Sequence, residues 1–189
     1  MSIRTRCLLL AGLTLLGTLA FAQRRRRDAL TDPETDQLRE VAIEPEKRIK
    51  LFVKFARARM EAIEQVRSDP KFAEGRGKRL HDLLEDLSAI VDEMDQNIDE
   101  YDRQKADLRK ALKEVVEADS EMQLKLRAIK EGAASDDKLA REARDYKFIL
   151  EDATESVNTS ADTARETLQQ EVEDFAKKEK DKDKDKKKK

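Results

Sequence analysis

The chain has 189 residues, of which 43% are charged, 38% are hydrophobic and only 4% are aromatic. This length suits one domain or two small ones, and the composition is typical of long helices or a coiled coil rather than of a thick globular core. A single His and a single Cys argue against a Cys/His zinc site and against a catalytic centre of the Ser/His or Cys/His kind. We therefore predict no enzyme, no bound metal and no cofactor.

The first 22 residues have the parts of a secretory signal peptide. Two arginines precede an apolar run at residues 7–21, and Ala20-Phe21-Ala22 fits the small-x-small cleavage pattern. The run is short for a membrane span. We expect cleavage after Ala22 and export to the periplasm or the extracellular space. Four arginines follow the run directly and resist translocation, so a membrane-anchored protein is the alternative.

Charge is divided by segment. Residues 28–176 hold 25 Lys and Arg against 38 Asp and Glu, a net charge of −13, whereas residues 177–189 hold nine Lys against four acidic residues. This tail has no apolar residue to bury and is predicted to be disordered. The two basic ends are candidates for contact with an anionic lipid or polysaccharide surface. The candidate residues are Arg24, Arg25, Arg26, Arg27, Lys186, Lys187, Lys188 and Lys189. No aromatic residue is interleaved with them, so specific nucleic-acid binding is not predicted.

The predicted organisation is a signal peptide at 1–22, a basic segment at 23–32, a helical coiled-coil bundle at 33–176 and the tail at 177–189. The first helical segment starts with Asp32 as the expected N-cap and Pro33 at the first helical position. Pro45 lies inside its apolar pattern and should kink the helix or split it near Ile43.

The second segment carries the clearest periodicity. Alternating steps of four and three from Leu80 to Ile129 define fifteen positions, of which thirteen are apolar; the exceptions are Lys105 and Asp119. A repeat of 3.5 residues predicts a supercoiled helical partner. Neither Gly nor Pro interrupts residues 78–131, which predicts one continuous helix roughly 80 Å long that ends at Gly132.

The third segment is predicted to begin with Ser135 as its N-cap and to overlap the other two only near residues 90–110. The fold class is therefore all-α: an elongated antiparallel three-helix bundle or coiled coil with a disordered basic C-terminal tail. Short connections place residue i of the first helix opposite about residue 144−i of the second. In that register the basic run at 47–59 faces the acidic run at 81–102, and the acids at 34–44 face the basic residues at 103–110.

Three motifs have plain structural interpretations. Residues 74–79 resemble a phosphate loop only in their two glycines and Lys78. Arg79 stands where that motif has a Ser or Thr, and no strand is predicted before the glycines. We therefore expect an interhelix turn. The carboxylates of residues 82–102 could collect Ca²⁺, but on a helix they are better explained by charge pairing. His81 is expected to have a surface or packing role.

The function that these features favour is that of a non-enzymatic exported helical protein acting through protein–protein contacts, as an adaptor, scaffold or holdase-like factor of the cell envelope. Its partner would be another protein or a second copy. The alternative is a polyanion-binding envelope protein that uses its basic ends.

Overall fold

A computed structural model of the chain describes residues 28–135 and 137–187, without the side chains of 134–138 and 181–187. Every regular element in this part is helical, which confirms the all-α prediction. The α-helices are α1 (Asp32–Glu40), α2 (Pro45–Ser68), α3 (Arg76–Arg103), α4 (Arg109–Ser135), α5 (Asp137–Ala143) and α6 (Lys147–Lys187), and a short 3₁₀ turn, Pro70–Phe72, connects α2 to α3.

The four long helices form a bundle with a square cross-section. Helices α2 and α6 each pack against both α3 and α4, so α3 and α4 lie on one diagonal of the square. Lys50 pairs with Glu114 and Arg57 pairs with Glu121, which shows that α2 and α4 run in the same direction. The prediction of three helices that overlap only in the middle is therefore wrong, because the second predicted helix is folded in two.

The chain reverses at residues 104–108. Lys105 has a positive φ of 59°, and the amides of Lys105 and Ala106 donate to the carbonyls of Asp102 and Tyr101 at 2.8 and 3.0 Å. These two bonds are the Schellman pattern that ends a helix. The prediction of one continuous helix over 78–131 is wrong for this reason: Lys105 occupies a position that glycine usually fills, so the sequence shows no breaker.

Glu171 of α6 holds the start of α4 in place. The amide of Leu108 lies 3.2 and 3.1 Å from the two carboxylate oxygens of Glu171. A carboxylate at a helix N-terminus accepts from amides that have no partner within the helix and is favoured by the helix dipole. The reversed chain is thus tied to α6.

The predicted apolar repeat is buried except at the reversal of the chain, where Tyr101 is partly buried and Lys105 is exposed, and two helices share it. Leu84, Leu87 and Val91 of α3 and Leu112 and Val115 of α4 have no exposed surface. The hydrophobic pattern therefore identifies the core correctly, while the direction of the chain is set by the turn. Coiled-coil packing of these positions remains a prediction.

Helix α1 is capped and docked by polar contacts. Thr31, not the predicted Asp32, is the N-cap, and its side chain and that of Glu34 form a capping box. Pro45 splits the first segment, as it begins α2 after a break at residues 41–44. The Arg59 guanidinium of α2 binds both oxygens of Glu34 at 2.9 and 2.6 Å and so fixes α1 against α2.

The register predicted between the first two long helices is confirmed. Arg48 donates to Asn97 at 2.9 Å, and Arg59 lies 3.9 Å from Asp86. The charge pairing is mostly different from the prediction, since Lys50 and Arg57 pair with α4. Among the described residues, no ion pair joins the acids at 34–44 to the basic residues at 103–110: Glu34 binds Arg59, and Glu44 pairs with Lys47.

The C-terminal part of the chain also differs from the prediction. Ser135 is the last residue of α4 rather than an N-cap, and α4 continues past Gly132. A turn at residues 144–146 separates α5 from α6. Helix α6 continues to Lys187, so the disorder predicted for 177–189 is not confirmed.

Candidate functional site

An apolar groove lies where the end of α4, α5 and the start of α6 meet. Its volume is about 280 Å³. The residues that line it are Lys130, Ala133, Ala140, Ala143, Arg144, Lys147, Leu150 and Glu151. Three alanines and a leucine form the floor, and the charged residues surround it.

The turn between α5 and α6 creates this groove. The amide of Tyr146 donates to the Ala143 carbonyl at 3.1 Å, and the amide of Leu150 donates to the Tyr146 carbonyl at 2.9 Å. The Tyr146 side chain is only 4% exposed, so it anchors the turn in the core. The alanine side chains of α4 and α5 leave space that larger side chains would fill.

The rim of the groove is basic. Among its described lining residues, Lys130, Arg144 and Lys147 are exposed, and Glu151 is the one acidic residue. The adjacent Phe148 is 76% exposed, and the Lys147 ammonium lies 5.9 Å from its ring centre. On a body whose net charge is −13, this excess of positive charge around an apolar floor distinguishes the groove from the surrounding surface.

A larger depression at the opposite end of the bundle is less suited to binding. Its volume is about 360 Å³, and its lining includes residues 44–47 together with Ala106 and Asp107. Glu44 and Lys47 pair with each other, and Asp107 is held by Arg109 at 2.7 Å. The hydrogen bond from Arg109 lowers the pKa of Asp107 to about 2. This carboxylate therefore stays ionised and paired with Arg109, which leaves it less able to bind a ligand.

Most of the basic residues predicted to contact an anionic surface lie outside the described part of the chain. Arg24, Arg25, Arg26 and Arg27 are not described by the structure, nor are Lys188, Lys189 and the predicted signal peptide at residues 1–22. Lys186 and Lys187 are at the end of α6, where only the backbone is described. Their contact with an anionic surface remains a prediction.

The interhelix turn predicted at residues 74–79 is confirmed. Gly75 has a φ of 69° and precedes α3, and Lys78 and Arg79 lie in the first turns of that helix. The preceding elements are α2 and the 3₁₀ turn, not a strand. Gly77 packs so closely on Asp145 that an added Cβ would lie 2.9 Å from the Cβ of that residue.

The acidic residues of α3 are dispersed among separate contacts. Asp86 lies near Arg59, Asp95 accepts from Ser160, and Glu100 pairs with Arg103. His81, Asp82 and Glu85 place one ligand atom each within 4.8 Å of one another and could share a cation at the surface. The Lys78 ammonium is 3.6 Å from Asp82 and competes for the same carboxylate.

The sequence does not reveal this groove, because its third apolar segment predicts a single helix from Ser135 onward. The turn at 144–146 contains neither Gly nor Pro. The available signal is the alanine spacing, Ala133, Ala140 and Ala143, close to three basic residues.

Comparisons with known protein families, with curated proteins and with solved structures give no match to this chain. Within the described residues, no helix is long and apolar enough to cross a membrane.

Proposed function

We propose that the protein is a non-enzymatic, exported helical protein that acts through protein contacts, and that the groove between α4, α5 and α6 binds an acidic amphipathic helix of its partner. The observation that carries the proposal is the basic rim around an apolar floor on an otherwise acidic bundle. An adaptor, a scaffold or a holdase-like factor of the cell envelope would each use such a surface.

The shape of the groove favours a helix as the occupant. Ala133, Ala140 and Ala143 present only methyl groups, so the backbone of a second helix can approach closely. Amphipathic helices bind apolar grooves through side chains spaced three and four residues apart. Acidic residues beside those side chains would lie next to Lys130, Arg144 and Lys147.

The groove chemistry favours binding over catalysis. Among the described residues that line it, there is no Ser, Thr, Cys or His that could serve as a nucleophile or an imidazole base. Charges on its rim are exposed, so they act mainly on the association rate and on the choice of partner. Export is proposed from the signal-peptide pattern at residues 1–22.

The test uses a fluorescent amphipathic peptide with leucines at every third and fourth position and glutamates beside them. Binding to the purified protein is followed by anisotropy at low and high salt. We expect salt-sensitive binding, and a loss of at least about tenfold in affinity for the double variant Lys130→Glu, Lys147→Glu, since two exposed charge pairs become repulsive.

Two controls make the result specific. The variant Lys113→Glu reverses an exposed charge of α4 that does not line the groove, and it should bind as the wild type does. A peptide with lysines in place of the glutamates should bind more weakly. Equal binding of both peptides, or an unchanged affinity of the double variant, would contradict the proposal.

A further inference from the structure

A small polar cluster interrupts the apolar core of the bundle. Asp119 of α4 and Ser160 of α6 have no exposed surface, and Asp95 of α3 is partly buried beside them. The Ser160 hydroxyl donates to the Asp95 carboxylate at 2.7 Å. Three of the four long helices therefore contribute one polar group each to the same point.

Among the described residues, the Asp119 carboxyl has no hydrogen-bond partner. Neither of its oxygens is bonded to a described residue, although the Ser160 hydroxyl lies beside it. The single hydroxyl proton of Ser160 goes to Asp95. Val115, Ala118 and Met122, which flank Asp119 on α4, are all buried. A carboxyl in such surroundings avoids ionisation by keeping its proton.

The charges around the cluster leave Asp119 without a close cation. Asp95 from α3 opposes its ionisation, while Arg165 from α6 favours it. Arg165 is 44% exposed and pairs with Asp162 at 3.0 Å, so its charge is shared. From α2, Lys50 and Arg57 pair with Glu114 and Glu121. From α5, Glu142 lies 3.5 Å from Arg76.

Burial is the main cause of the resulting shifts. It raises the pKa of Asp119 to about 7 and that of Asp95 to about 6, with Asp92 and Asp99 adding to the effect on Asp95. The hydrogen bond from the Ser160 hydroxyl opposes the rise at Asp95. Both carboxyls are therefore poised to change their protonation close to neutral pH.

We propose that the Asp95–Asp119–Ser160 cluster is a proton-binding site in the core of the bundle. The proton on Asp119 is donated to the Ser160 oxygen, and the Ser160 hydroxyl donates to Asp95. With the proton in place the three helices are joined by one chain of hydrogen bonds. Without it two carboxylates face each other in an apolar layer, and the bundle is weakened.

The sign of the effect follows from linkage. Since the pKa of Asp119 is higher in the folded chain than the ordinary value of 3.8, the folded state holds more protons than the unfolded state between about pH 4 and pH 7. The contribution of this proton to the free energy of unfolding is complete below about pH 4 and is lost as pH rises through about 7. The carboxylates of Glu34 and Asp107, whose pKa values are about 2, titrate below this window.

The experiment is a series of urea unfolding curves of the purified protein between pH 5 and pH 8, followed by circular dichroism. For the wild type we expect the unfolding equilibrium constant to rise by at least about a hundredfold over this range, since Asp119 alone accounts for about that much and Asp95 adds to it. The isosteric variant Asp119→Asn should show a rise of about tenfold or less. The control Asp152→Asn, an exposed carboxylate of α6, should follow the wild type.

A second measurement does not depend on a variant folding well. The infrared band of a protonated carboxyl should be present in the wild type at pH 6, lose intensity by pH 8 and be reduced in Asp119→Asn. Absence of the band at pH 6, or superposable stability profiles of the wild type and Asp119→Asn, would overturn the proposal. Strong stabilisation of the wild type at pH 8 by Na⁺ or Ca²⁺, lost in Asp119→Asn, would replace it with a metal-cation site.

Discussion

Replacing Lys105 with glycine distinguishes the reversed chain from a continuous helix by the sign of its effect. In the structure Lys105 lies just past Arg103, the last residue of α3, and has a φ of 59°. A residue with a Cβ pays about 1–2 kcal/mol in this conformation, and glycine does not. In a continuous helix the same substitution would remove a good helix former from the interior and cost about 1 kcal/mol.

The net effect at Lys105 can be worked out from these opposing terms. Glycine relieves a strain of about 1–2 kcal/mol in the folded chain. It also has more conformational freedom in the unfolded chain, which destabilises the folded state by about 0.5–1 kcal/mol. The hydrogen bonds from the amides of residues 105 and 106 are main-chain bonds and are retained. We expect Lys105→Gly to stabilise the protein by about 0.5–1 kcal/mol.

Urea unfolding followed by circular dichroism measures this difference. The matched control is Lys113→Gly, which places glycine in the interior of α4 at an exposed lysine. It should destabilise the protein by about 1 kcal/mol. If both substitutions destabilise to the same extent, residue 105 is helical and the reversal at 104–108 is refuted.

The other predictions concern the docking of α1, the core and the two ends. Arg59 lowers the pKa of Glu34 from 4.5 to about 2, so the contact stabilises the fold fully above pH 4.5 and is lost as pH falls towards 2. Glu34→Gln should cost about 1–2 kcal/mol at pH 7, after allowance for solvent screening, and roughly half of that or less at pH 3; an equal loss at both values would contradict the ion pair. Leu87→Asp places a charge at a position with no exposed surface, so it should cost several kcal/mol, and a normal melting temperature would contradict the assigned core. Deleting residues 177–189 should abolish weak, salt-sensitive binding to anionic vesicles and to an acidic polysaccharide while the helicity of the bundle is kept; equal binding by the intact and the truncated protein would exclude the tail as a polyanion contact. N-terminal sequencing of protein from an envelope fraction should begin at Gln23, whereas a full-length chain in the membrane would support an anchor.

The sequence is informative where a residue has one strong local effect. Pro45 lacks an amide proton and clashes with the preceding turn, so it predicts the break before α2. The apolar repeat from Leu80 to Ile129 predicts which positions are buried, because burial depends on spacing and not on chain direction. The confirmed register of α2 against α3, shown by the hydrogen bond from Arg48 to Asn97, follows from the short connection between these helices.

The sequence is less informative where tertiary contacts decide. Nothing local marks Lys105 as a residue with positive φ; the reversal is held by Glu171, which lies 63 positions along the chain from Leu108. Lys50 and Arg57 of α2 pair with acidic residues of α4, and these pairs depend on the reversal of the chain that places α4 beside α2. The groove likewise depends on a turn without Gly or Pro, anchored by burial of Tyr146.

The position of a bound acidic peptide tests the proposed function most directly. The measurement is the broadening of the protein's amide signals in nuclear magnetic resonance spectra, caused by a nitroxide attached to the centre of the glutamate–leucine peptide. We predict broadening centred on Ala140, Ala143 and Leu150, and its loss in the double variant Lys130→Glu, Lys147→Glu. Broadening centred elsewhere, for example around the exposed Leu124 of α4, would contradict binding in the groove.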